Sequence, residues 1–184
     1  MDDIVKAAMA KWPNVPDCYG WLALDARGNW FMRDDRAQQA GPFAGQGACP
    51  ASKGAVLKHD KLIDFIHRNY DHDDQGRWFF QNGPQRVYVE LEAAPWVWRL
   101  ADDGTVRTHT GRVAQVQSVW VDEEGRLYLH TDLGLGLVHS QDMHLAAEWV
   151  EQGRWSPKAC EATELPARFA YVPSPQGQQG RALA

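Results

Sequence analysis

The chain has 184 residues, 44% of them apolar and 11% aromatic, which is enough to bury the core of one domain or two small ones and too much for a disordered chain. Its 19 basic and 24 acidic residues give a net charge of -5 without a Lys/Arg stripe, so nucleic acid is not an expected partner. Asp2, Asp3, Lys6 and Lys11 interrupt the first residues and no apolar run is long enough to span a bilayer. Neither a signal peptide nor a membrane partner is therefore expected, and the expected compartment is the cytoplasm.

Residues 2–11 (DDIVKAAMAK) predict a short helix that opens with acids suited to its positive end and stops before Pro13 and Pro16. Two apolar runs flanking Asp25-Ala26-Arg27-Gly28 predict strands at about 19–24 and 29–33. A Gly/Ala/Pro/Gln-rich loop covers 37–56, and residues 58–70 carry Leu62, Ile63, Phe65, Ile66 and Tyr70 at helical spacing.

In the hairpin that follows, Pro84 has no N–H, which argues against a two-residue turn at Asn82-Gly83 and for a wider loop, 82–85. Gln81 then faces Arg86, Phe79 faces Tyr88 and Arg77 faces Glu90, which predicts a charge-paired, half-exposed sheet face. Ala93-Ala94-Pro95 breaks the strand, WVWRL resumes it, and Asp102-Asp103-Gly104 is the expected seam between two halves.

The second half predicts strands near 105–109, 113–121, 126–131 and 135–139 and a helix near 141–151 capped by Ser140. The last dozen residues, PSPQGQQGRALA, lack apolar anchors and predict a disordered tail.

One device recurs: DARGNWFMRDD at Asp25, DDQGRWFFQNG at Asp73 and DEEGRLYLHTD at Asp122, a period near 50 residues. Three units are too few to close a propeller, so duplication of a small β-rich unit, or reuse of good turn chemistry, is the better reading. The expected fold is α+β and β-rich, with duplicated small antiparallel-sheet units and two or three helices. Its expected parts are an N-terminal half over 1–103, a C-terminal half over 104–172 and a tail over 173–184.

The order helix, hairpin, Pro break and strand in 60–100, with GRWFFQNGPQRVYVELEAAPWVW followed by GRLYLHTDLG and LVHSQD, resembles an uncharacterised proteobacterial family of domains of unknown function. The resemblance covers about 55–150. It implies two similar β-rich halves and a role in signalling or ligand sensing, and it assigns no functional residue.

No motif fixes a chemistry. Cys18, Cys49 and Cys160 form neither a C-x-x-C pair nor an even set, so reduced, packed thiols are expected. The loop GPFAGQGACPASKG has Ser52-Lys53-Gly54 where a phosphate-binding loop needs Gly-Lys-Ser/Thr.

His109, His130, His139 and His144 with Asp132 and Asp142 are the kit of a metal or general-base site, but no fixed ligand spacing joins them. Neither a metal nor any other cofactor is expected. The leading reading is a non-enzymatic binding or regulatory module that takes a small molecule or a protein segment. Trp96, Trp98, Trp120, His109 and His130 are its candidate lining residues. The alternatives are a His/Asp-dependent, metal-assisted hydrolase-like enzyme and a homodimer formed through the Phe79/Tyr88 face.

Overall fold

The computed structural model describes residues 1–182. In chain order its first elements are α1 (Asp3–Lys11), β1 (Cys18–Leu24), β2 (Trp30–Met32), α2 (Asp35–Ala40), β3 (Ala55–Val56), α3 (Asp60–Arg68), β4 (Tyr70–His72), β5 (Trp78–Asn82) and β6 (Gln85–Leu91). There follow β7 (Trp96–Leu100), β8 (Val106–Thr108), β9 (Val113–Ala114), β10 (Val116–Val121), β11 (Leu127–Thr131), β12 (Gly134–Val138), α4 (Met143–Glu151), β13 (Lys158–Ala159), α5 (Leu165–Arg168) and α6 (Pro175–Ala182).

The recurring Asp-x-x-Gly turn builds three of the hairpins by the same local chemistry. The N–H of Asp25, Asp73 and Asp122 donates to the carbonyl four residues on, at 3.0, 3.0 and 3.1 Å. In return the carboxylate accepts the N–H of that fourth residue, Asn29, Arg77 or Arg126, at 2.8, 3.0 and 2.8 Å. Gly28, Gly76 and Gly125 take φ of 83°, 75° and 77°, the left-handed position that closes such a bulged loop. Ala101–Thr105 and Thr108–Arg112 close in the same way without the Asp. The device is thus a turn used wherever a hairpin is needed.

The chain divides into two units. Unit 1 comprises Met1–Asp25, Asn29–Glu92 and the chain from Tyr171 onward, and unit 2 comprises Ala26–Gly28 and Ala93–Ala170. The division falls after Glu92, not at 103, because β7 and β8 pair across the Asp102-Asp103-Gly104 turn with Trp98 opposite Thr108 and Leu100 opposite Val106. That turn is therefore the inside of a hairpin.

Unit 1 is a sheet of six strands in the order β3-β2-β1-β6-β5-β4, with β1 parallel to β6 and the other pairs antiparallel. Phe79 faces Tyr88 and Gln81 faces Arg86, as the register required. Asn82 pairs with Gln85, so the loop is Gly83-Pro84 alone, and Gly83 supplies the φ of +57° that lets proline follow it in a tight turn.

The half-exposed, charge-paired face is not found. Phe79 is 3% and Tyr88 0% exposed, Tyr19 stacks on Tyr88 at 4.7 Å, and Glu90 is 3% exposed. Arg77 bonds Asp73 at 2.7 Å instead of facing Glu90. The apolar face suggested for a homodimer is thus covered within the unit itself.

Unit 2 is a sheet of seven strands, β13-β10-β11-β12-β7-β8-β9, with β12 parallel to β7 and β10 parallel to β13. Its core holds Trp96, Trp98, Tyr128, Leu129 and Leu137. The α+β, β-rich class holds, with mixed sheets in place of wholly antiparallel ones. α1, α3 and α4 lie where the sequence put them, and in α1 only Val5 is buried.

The tail reading is corrected over the described residues: Pro175–Ala182 form α6, and residues 183–184 lie outside them. Backbone partners explain the difference. Val172 N–H donates to Gly76 O and Leu91 N–H to Pro173 O, at 2.9 and 2.8 Å. Gln176 N–H donates to the Glu90 carboxylate at 2.9 Å. Among the described residues no helix is long and apolar enough to cross a membrane.

Candidate functional site

In unit 1 the end of β2, the start of α2 and the chain at 50–55 enclose an open cavity of about 520 Å³. Asp34 starts α2 by accepting the Ala37 N–H at 2.9 Å, which turns the chain away from the sheet and opens the space. Its apolar lining includes Trp21, Met32, Ala37, Pro50 and Ala55, with Asp34 and Arg36 as polar groups. Trp21 and Met32 are 39% and 43% exposed, although most large apolar side chains of the chain are buried.

Arg33 holds this wall. Its side chain is fully buried, and its guanidinium donates to three carbonyls from separate stretches: Nε to Ser52 at 2.8 Å, Nη1 to Gly20 at 3.2 Å and Nη2 to Gly41 at 2.6 Å. The planar fork suits such multi-point bonding; burial lowers the guanidinium pKa, and the charge of Glu90 opposes that only in part. The Gly/Ala/Pro/Gln-rich loop is therefore ordered around one cation. Ser52 Oγ adds bonds to Pro42 O at 2.7 Å and from Cys49 N–H at 3.0 Å, and Phe43 packs under the loop at 1% exposure.

The turn at 50–52 also sets the chemistry of Cys49. A hydrogen bond from the Ser52 backbone N–H is the largest cause pulling the thiol pKa below the ordinary value, whereas burial pushes Cys18 and Cys160 up.

The residues singled out in the sequence fall into two groups in unit 2. Trp96 and Trp98 are 2% and 0% exposed, and their indole N–H groups donate to Leu133 O and Leu129 O at 2.7 and 3.1 Å. His109 joins them, its ring 5.7 Å from that of Trp96 and its Nδ1 accepting the Val97 N–H at 3.2 Å. The two indoles serve the packed interior, and His109 lies half-buried against Trp96. Trp120 and His130 meet elsewhere: Phe169 lies edge-on to Trp120 at 5.7 Å and 4.8 Å from the His130 ring.

The His/Asp set is dispersed. His130 stands opposite Leu135 in the β11–β12 ladder, which turns at Asp132-Leu133. Asp142 is taken by Arg99 at 2.6 Å and by the Leu100 N–H at 3.0 Å, and Asp132 by the Gln115 N–H at 2.7 Å. His139 accepts the Gln141 N–H at 3.1 Å. Among the described residues no three His, Cys, Asp or Glu side chains are placed to hold a metal ion.

Sequence reasoning passed over Trp21, Met32 and Arg33, because Trp21 and Met32 sit in strands and Arg33 in the link after β2, where an apolar or basic residue is unremarkable. The only local hint is an Arg directly preceding an Asp helix cap.

No curated protein is significantly similar to the chain. The crystal structure of a DUF1285 family protein from Shewanella baltica OS155, at 1.40 Å, is similar to it with a TM-score of 0.44 and 16% identity, covering 70% of this chain and 91% of that one. The family described as "Protein of unknown function (DUF2946)" matches residues 1–176.

Proposed function

Starting from the fact that this chain belongs to the DUF2944/DUF2946 family of unknown function, we propose that it is a non-enzymatic binding module that holds a small molecule in the cavity of unit 1. The observation that carries this reading is the cavity itself. Its size of about 520 Å³ is within the range of ligand pockets. Its rim offers Trp21 and Met32 to solvent, a cost that an apolar or aromatic guest would remove. The wall is rigid because Arg33 ties three chain segments together, so little ordering is needed on binding. The guest expected is a small molecule with a planar apolar part that stacks on Trp21. A regulatory role would follow from such binding.

The test is a fragment screen read by amide shifts of the isotope-labelled protein. Aromatic fragments should shift residues 21, 32 and 50–55, and Trp21→Ala should weaken them by about tenfold, the worth of a lost aromatic contact. Fragments that bind only elsewhere, or equally well to Trp21→Ala, would sink the reading.

A further inference from the structure

Unit 2 leaves part of one sheet edge open. β13 pairs with β10 only at Trp120 and Val121, whereas Val116–Val119 have β11 as their sheet partner. Among the described residues no strand therefore receives the backbone N–H and C=O groups of Val116–Val119 that point away from β11.

This edge forms one wall of a groove of about 430 Å³, faced by Arg154, Trp155, Ser156 and Lys158. The groove runs on past Val116 and Trp155 into a second of about 360 Å³ beside Val113–Gln115. Together they follow Val113–Val119, room for an extended segment of roughly 20 Å.

Along Val116–Val119 the charge is one-sided: among the described residues no carboxylate lines this part of the groove, and Asp103 lies only in its continuation beside Val113–Gln115. Among the described residues neither Arg154 nor Lys158 forms an ion pair; they rest on the faces of Trp149 at 4.4 Å and Trp120 at 5.5 Å. Two cations held on aromatic shelves beside an unpaired strand edge, in a chain of net charge -5, select for acidic groups.

We propose that the open edge of β10 docks an extended acidic peptide segment of a partner protein, which adds as a strand along Val116–Val119 with its carboxylates toward Arg154 and Lys158. Main-chain bonds supply the affinity in this mode, and the cations supply the selection. A second copy of this chain would bring the same two cations together across the edge, which like-charge repulsion disfavours.

The probe is a fluorescein-labelled seven-residue peptide alternating valine and glutamate, titrated into the intact, isotope-labelled protein. Expected are a rise in anisotropy, amide shifts centred on residues 116–119, and loss of both when alternate peptide amides are N-methylated. Lys158→Glu should bind at least about fivefold more weakly, as a rim charge does. No shift at 116–119 up to about 1 mM peptide would overturn the proposal. So would equal binding of the N-methylated peptide, which means charge alone. Concentration-dependent shifts at 116–119 without peptide would replace the partner with a second copy and equally overturn it.

Discussion

The indole of Trp98 lies against Gly136, and a Cβ at Gly136 would collide with the Trp98 Nε1 and stand 2.7 Å from the Trp96 carbonyl oxygen. Gly136 pairs with Trp96 in the β7–β12 ladder, so the missing side chain opens the path by which the Trp98 N–H reaches Leu129 O on β11. Gly136→Ala should therefore destabilise the protein by about 3 kcal/mol, through overpacking and loss of a buried indole bond. Urea denaturation checks this; a change within about 0.5 kcal/mol, the range of an ordinary surface substitution, would show that the indole does not need this space.

Acid should weaken unit 2 through Asp142. Burial raises its pKa, but the Arg99 side chain, the Leu100 N–H and the Arg99 charge outweigh burial and hold the carboxyl below its ordinary 3.8. A depressed folded pKa contributes stability that is complete above the unfolded value and is lost as pH falls through the folded one. Asp142→Ala should cost about 2 kcal/mol at pH 7, because the buried Leu100 N–H is left without its acceptor. The gap to the parent should shrink as pH falls below 3.8. Denaturation midpoints of both proteins across that range are the measurement, and a gap independent of pH would refute the assignment.

The segment after Val172 is bound by unit 1, not merely tethered to it. Truncation after Val172 removes the Pro173 acceptor of Leu91 and the Ser174 and Gln176 donors of buried Glu90. The shortened chain should lose about 3 kcal/mol, three hydrogen bonds' worth, seen as a drop of several degrees in Tm. An unchanged Tm would mean that this contact contributes nothing.

Among the three cysteines, Cys49 should react first. Its thiol is pulled toward the thiolate by Ser52, whereas burial works against Cys18 and Cys160. Peptide mapping after limited iodoacetamide treatment should find label on Cys49 well before the others, and Ser52→Ala should slow it. Equal labelling of all three would contradict this.

Much of the fold is legible because its signals are local. The Asp-x-x-Gly turns close within five consecutive residues, so Asp25, Asp73 and Asp122 announce their hairpins from the sequence alone. α3 and α4 follow from apolar spacing, and the Phe79/Tyr88 register follows once the turn is placed. The candidate site was not legible in this way. Trp96 and Trp98 drew attention by residue type yet are buried in unit 2, whereas the cavity of unit 1 depends on Arg33 reaching the carbonyls of Gly20, Gly41 and Ser52 in separate stretches of chain.

What the sequence by itself determined was therefore the three Asp-x-x-Gly hairpins, the helices α1, α3 and α4 and the longer strands, together with the α+β class, each fixed by chemistry acting between near neighbours in the chain. The tertiary structure alone decided that β1 runs parallel to β6, that Arg33 gathers the carbonyls of Gly20, Gly41 and Ser52, and that α6 begins where Glu90 accepts the Gln176 N–H. A buried donor must find an acceptor, but which acceptor it finds among groups many residues away is set by how the chain closes on itself, and no local rule contains that information.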